Sequence, residues 1–150
     1  MPQIAVIGSG GEWTAQAEAV GRALAERGCV LVCGGLDEVM EAAARGAKRA
    51  GGTTLAVLPG ETAHAANRWI DHAVATGTGH ARNLAVVASC EAAIAVGGGW
   101  GTLAEIAYAR LLGRPVVVLE PGWALEGEGV ERAPTPTEAV ALALRLAGLE

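Results

Sequence analysis

Ala92-Ala93-Ile94-Ala95-Val96-Gly97-Gly98-Gly99-Trp100-Gly101-Thr102-Leu103-Ala104-Glu105 is the stretch that decides the fold. Its first five residues are apolar without alternation, the pattern of a strand buried on both faces. Three glycines then mark a tight turn, and Leu103 to Leu112 reads as a helix. A buried strand entering a glycine turn and a helix N-terminus is a phosphate-binding arrangement. Glycine lets the backbone approach an anion, and the first helical N–H groups have no intrahelical acceptor. Thr102 adds a hydroxyl. Glu105 is the odd member, because a carboxylate one turn inside an anion site repels phosphate. It suits sugar hydroxyls or a proton to be moved.

The same alternation of strand and helix extends both ways. Gln3–Ile7, Cys29–Cys33, Thr54–Leu58, a weaker Trp69–Ala75, Ala92–Val96 and Pro115–Leu119 read as strands. Between the first two, Trp13, Ala17, Val20 and Leu24 recur at helical spacing, with Glu12, Glu18, Arg22 and Glu26 on the other face. Gly28 stops that helix. Asp37 is expected to cap a second helix through Val39, Met40, Ala43, Ala44 and Ala47, ending at Gly51-Gly52. Gly79–Ser89 reads as a further helix. Thr137 is expected to cap a last one, with Glu138 in its first turn. Pro121–Pro136, rich in Gly, Glu and Pro, reads as a loop with room for one short edge strand. No repeat or linker divides residues 1–150, so the expectation is one α/β domain. Its doubly wound, Rossmann-like parallel sheet is flanked by helices.

In such sheets ligands bind at the carboxyl ends of the strands, where the strand order reverses. Glycine clusters fall at three of those ends: Gly8-Ser9-Gly10-Gly11, Gly34-Gly35 and Gly97–Gly101. Together they indicate a nucleotide or phosphate pocket. The dinucleotide fingerprint nevertheless fails. Trp13 stands where its third glycine belongs, and Cys33, Gly34 and Gly35 stand where an acid should hold ribose hydroxyls. No GxxxxGK[ST] loop occurs either.

Composition narrows the remaining classes. The 150 residues are 51% hydrophobic but only 3% aromatic, with no Phe, so the core must be built from Ala, Val, Leu and Ile. The net charge of −5 argues against a nucleic-acid surface. No apolar run approaches the roughly 20 residues of a membrane span, and Met1-Pro2-Gln3-Ile4 does not open a secretory signal. Cys29 and Cys33, four residues apart along a strand, would lie about 13 Å apart, too far for a disulfide. With Cys90 they read as small buried hydrophobes in a reducing cytoplasm. His64, His72 and His80 are too scattered for a metal cluster, so no metal site is expected.

Gly98-Gly99-Trp100-Gly101-Thr102-Leu103-Ala104-Glu105 resembles the GGxGTxxE core of the LOG-like superfamily. The likeness extends to Gly8-Ser9-Gly10, to Cys33-Gly34-Gly35, and to Arg82 one helix before the main motif. Enzymes of that superfamily are phosphoribohydrolases that release free base and ribose 5-phosphate from nucleoside 5′-monophosphates. The resemblance implies that their catalytic Arg and Glu fall on Arg82 and Glu105. Two departures stand out: Gly97 replaces the enzymes' usual Pro, and Asn83 replaces a Lys. Both are similar to the branch that contains the molybdenum-cofactor carrier proteins, which bind a phosphorylated pterin. That branch implies a bound nucleotide or molybdopterin-type cofactor held by Gly8, Ser9, Gly10, Gly34, Gly35, Asn83, Gly97, Gly98, Gly99, Gly101 and Thr102. The resemblance also implies a homodimer or higher homo-oligomer. A DNA-uptake family shares the fold, but the acidic balance speaks against a nucleic-acid partner.

The superfamily's old lysine-decarboxylase label fails on residues alone. A pyridoxal-phosphate enzyme needs a Schiff-base lysine, and the only lysine, Lys48, is remote from every glycine loop. Other side chains keep two readings at this level. Arg82 is a phosphate partner or a solvated cation, and Glu105 a ribose contact or an ordinary helix-start acid. Trp100 stacks on a ligand ring or packs, while Trp13, Trp69 and Trp123 read more simply as packing. Arg110 and Arg114 belong to a solvated face or a subunit interface.

Overall fold

Residues Gln3–Ser9 form the central strand β1 of a computed structural model that describes residues 1–125 and 127–150. The other strands are β2 (Val30–Cys33), β3 (Thr53–Leu58), β4 (His72–Ala75), β5 (Ala92–Gly97), β6 (Val116–Leu119) and β7 (Val130–Ala133). All pair in parallel, in the order β4-β3-β2-β1-β5-β6-β7. The chain winds outward from β1 through β2, β3 and β4, then returns to the other side of β1 as β5. The strand order therefore reverses between β1 and β5, whose register runs from Ile4 opposite Ala92 to Ser9 opposite Gly97.

The period-two side-chain alternation of a strand sorts the core into two layers. Ile4, Val6, Ile94 and Val96 point to one face. There α1 (Thr14–Glu26), α2 (Val39–Arg49) and α5 (Pro136–Leu146) cover them with Val20, Leu24, Ala43, Val140 and Leu144. Ala5, Ile7, Ala93 and Ala95 point to the other face, against Val86 and Val87 of α3 (Arg82–Ala88) and Ile106 and Ala109 of α4 (Trp100–Leu111). Small residues let the helices settle close. A Cβ on Gly21 would overlap the Ala43 carbonyl, and one on Gly46 would overlap that of Glu18.

Several boundaries differ from expectation, each for a local reason. Asp37 does not cap α2 with its side chain: the N-cap residue is Glu38, at φ 54°, and Asp37 lends only its carbonyl to the Met40 N–H. The last helix is capped by Thr135 rather than Thr137. Thr135 Oγ1 accepts the Glu138 N–H at 3.2 Å, and Pro136 takes the first helical position, where no N–H is needed. Gly79–Ser89 splits into a 3-10 turn (Gly79–Ala81) and the shorter α3. Helix α4 begins at Trp100, ahead of the expected Leu103, and β4 begins only at His72. β7 supplies the short edge strand within Pro121–Pro136; Glu126 of that stretch lies outside the described residues. The three cysteines are free and buried. Among the described residues no helix is long and apolar enough to cross a membrane.

Candidate functional site

The carboxyl ends of β1 and β5 open into a cleft of about 390 Å³. Gly8 and Ser9 reach it from β1, Arg82 and Asn83 from the start of α3, and Gly101, Thr102 and Glu105 from the first turns of α4. The reversal of strand order places the cleft here, because flanking helices leave the two neighbouring strand ends on opposite faces.

Each of these residues has a structural reason for its place. Leu103 N–H donates to Gly99 O at 3.1 Å, so the Trp100, Gly101 and Thr102 N–H groups precede the first acceptor of α4. Gly98, at φ 104°, lies against Thr102 so closely that a Cβ would overlap its hydroxyl. The Arg82 guanidinium rests where a Cβ on Gly34 would sit. Gly34 therefore makes room for Arg82 rather than lining the cleft.

Glu105 is the unusual group. It is 8% exposed and lines the cleft. Among the described residues its carboxylate has no hydrogen-bond or ion-pair partner, and Arg82 acts on it only as a nearby charge. Burial pushes its pKa from the ordinary 4.5 up to about 7, and the positive field of Arg82 only partly restrains the rise. Burial lowers the Arg82 pKa in turn, while Glu105 and Cys33 raise it. A guanidinium keeps its charge even so. The cleft thus combines a fixed cation, free backbone donors at a helix N-terminus and a carboxyl that changes protonation near neutrality.

Besides Gly34 and Gly98, four of the expected glycines lie outside the cleft lining. Gly10 donates its N–H to Glu38 Oε2 at 2.7 Å, which occupies the β1 turn with the protein's own carboxylate. Gly35 packs on Ala56 and Leu58, and its carbonyl accepts from Asn67. Gly97 lies under the Trp13 ring, and Gly99 carries the α4 N-cap. Leu36, Met40, Pro59, Gly79 and His80 also line the cleft and escape sequence reading. Only His80 carried a signal, two residues before Arg82 in the same turn. Glu38 is a second omission. Its positive φ is rare outside glycine and marks a place where surrounding structure over-determines the backbone.

Lys48 lies at the opposite end of the sheet, where its ammonium donates to Gly52 O and Asp71 at 2.9 Å. Arg110 and Arg114 spend donors on backbone carbonyls: Arg110 on Glu128 and Arg114, and Arg114 on Ala88. Among the described residues no three His, Cys, Asp or Glu gather around one point as metal ligands would.

Comparison with known proteins agrees with this architecture. An uncharacterized protein of Archaeoglobus fulgidus is 47% identical over 141 residues, covering 92% of this chain and 91% of its own. The molybdenum cofactor binding protein of the phototrophic bacterium Rippkaea orientalis superposes with a TM-score of 0.90. It is 34% identical, and 97% of this chain and 96% of that one are covered. The molybdenum cofactor carrier protein of Chlamydomonas reinhardtii gives 0.88 at 34% identity, with 98% of both chains covered. The profile of the SLOG cluster4 family matches residues 1–145. The chain belongs to the SLOG cluster4 family, a LOG-like group with the Rossmann-like α/β fold.

Proposed function

We propose that this protein binds a phosphorylated pterin-type cofactor of the molybdenum-cofactor class and holds it without turning it over. The observation that carries the reading is Glu105, nine-tenths buried and unpartnered beside Arg82 in a cleft at the strand-order reversal. A group this costly to bury is retained where a ligand supplies its partner. The printed identities of two relatives, a molybdenum cofactor binding protein and a molybdenum cofactor carrier protein, support the same class.

The residues fit such a group. Free N–H donors at Trp100, Gly101 and Thr102 with the Thr102 hydroxyl match a phosphate, and Arg82 answers its charge. Ser9 and Asn83 offer polar contacts at the rim. Gly10, Gly34 and Gly35 shape the surroundings rather than touch the ligand. Glu105 titrates near 7, and its protonated form donates to a hydroxyl oxygen of the ligand. The bound cofactor would bring its own redox chemistry; this chain's part is to bind, orient and shield it.

A second reading rests on the same pair. A carboxyl titrating near 7 with an arginine across the cleft could serve a phosphoribohydrolase, Glu105 moving the proton and Arg82 steadying the phosphate. One experiment separates the two. Purified protein is mixed with molybdenum cofactor released from a molybdoenzyme, and the oxidised, fluorescent pterin is followed through gel filtration. In parallel, AMP, CMP and GMP are monitored for free base. Co-elution that is lost in Arg82→Ala, with no base release, supports the carrier. Base release that is abolished in Glu105→Ala establishes the hydrolase instead.

A further inference from the structure

A second cavity, of about 380 Å³, opens on the other side of the same glycine turn. Gly97 and Gly98 floor it, Trp13 forms one wall, and Trp123 with Gly122 forms another. Its walls are tryptophans in a chain with almost no aromatic residues. Three of the four tryptophans, Trp13, Trp100 and Trp123, gather here. The fourth, Trp69, lies at the far end of the sheet under Arg49 and Arg68. Trp13 packs on one core layer and Trp123 on the other, but neither ring is fully buried, and none of the largest fully buried side chains is aromatic.

Both walls are held in place by the turn itself. Trp13 lies across Gly97 where any Cβ would overlap its ring. Trp123 donates its indole N–H to Gly99 O at 3.2 Å, which satisfies its polar edge and leaves its face for packing. Trp100 tilts against Trp123 at 47°, with centroids 5.5 Å apart, and remains 79% exposed. Two partly buried indoles over a glycine floor form a slot for a flat apolar body with polar edges. The slot joins the first cleft through one segment: Gly97 and Gly98 line the slot, Gly101 and Thr102 the cleft.

We propose that the Trp13–Trp123 slot binds the planar bicyclic ring, purine or pterin, of the ligand whose phosphate sits on the Gly98–Thr102 turn. The inference rests on the reading of that turn as an anion site. Stacking on an indole is tolerant of ring identity, because every such heterocycle has a π-face. The slot therefore supplies affinity for a flat ring, and the cleft with Arg82 and Glu105 sets polarity and charge.

Two probes separate the ring from the anion. GMP carries both, with the 2-amino-4-oxopyrimidine edge that pterins share; ribose 5-phosphate carries only the anion and sugar. Each is titrated calorimetrically into wild type, Trp123→Ala, Trp123→Phe and Trp69→Phe. The expected result is a GMP affinity about tenfold lower in Trp123→Ala. It should stay within about twofold in Trp123→Phe and unchanged in Trp69→Phe, while ribose 5-phosphate binds all four alike. Unchanged GMP binding in Trp123→Ala overturns the ring slot and leaves the anion site standing. Equal weakening of both probes also overturns it, because the indole would then merely support the turn. If neither probe binds wild type, the anion reading and the ring slot fall together. Should Trp123→Ala misfold, quenching by GMP in a Trp69→Phe/Trp100→Phe protein, whose remaining indoles are Trp13 and Trp123, gives the answer; absence of quenching refutes the slot.

Discussion

Replacing Glu105 by Gln should stabilise this protein, and by an amount that grows with pH. The amide keeps the volume of the side chain and removes the charge. In the folded protein the carboxyl titrates at about 7 instead of 4.5. Between those values the native state keeps a proton that the unfolded chain has released, so wild-type stability falls as pH rises through that window. At 1.36 kcal/mol per pH unit the full difference is about 3 kcal/mol. The variant should gain about 1 kcal/mol at pH 5 and about 3 kcal/mol at pH 8. At pH 8 that is a rise in melting temperature of roughly 6–12 °C for a chain of this size. Urea unfolding of both proteins at pH 5, 6, 7 and 8 measures the difference directly. Arg82→Met, which withdraws the field that restrains the Glu105 pKa, should enlarge the gain from Glu105→Gln. A difference that stays flat across this range would refute the reasoning, since it would mean that the carboxylate is hydrated or paired when ionised. So would a glutamine variant less stable at pH 8.

Two further outcomes follow from packing. Gly21→Ala should destabilise by about 2–3 kcal/mol in urea, because its methyl meets the Ala43 carbonyl and forces α1 off α2. Gly28→Ala, with φ 72° but open space around it, should cost only about 1–2 kcal/mol of backbone strain. The outer side of α4 exposes Tyr108, Leu111 and Leu112, and Leu84 of α3 is also exposed. We propose that this face joins copies of the chain. Sedimentation of wild type should then give a homo-oligomer that Leu111→Asp dissociates, and a monomeric wild type would refute the assignment.

The sheet was legible because its strands announce themselves. Ala92–Val96 and Val116–Leu119 are apolar without a break, and only burial on both faces demands that. β4 was blurred because it is an edge strand whose His72, Val74 and Ala75 face solvent, so no burial pattern marks its start. The caps failed where a neighbouring residue offered a better solution. Pro136 can occupy a helical first position without loss, which moved the last cap to Thr135. The candidate site divides in the same way. Glu105 stood out as the odd carboxylate beside the glycine turn, but only the family resemblance singled out Arg82 and gave either residue a role. The slot walls were not visible, because Trp13 and Trp123 are 110 positions apart in this numbering and meet only through the ends of β5 and β6.

Glu38 explains why a Rossmann-like sheet places its free donors at α4 rather than at the first turn. In dinucleotide-binding relatives of this architecture the β1 turn and the following helix receive the pyrophosphate. Here the Gly10 N–H is already bonded to the Glu38 carboxylate, and a second anion would have to displace it against like charge. The chain after Gly10 first makes a 3-10 turn, Gly11–Trp13, which sends the Trp13 ring across Gly97. The usual phosphate position is thus filled twice by the protein's own side chains, once by charge and once by bulk. The Trp100, Gly101 and Thr102 N–H groups meet no such carboxylate among the described residues. The same Trp13 that closes the first turn walls the slot beside the second, so one substitution tests both consequences. Trp13→Ala should weaken GMP as Trp123→Ala does, and it should not restore NAD binding while Glu38 remains.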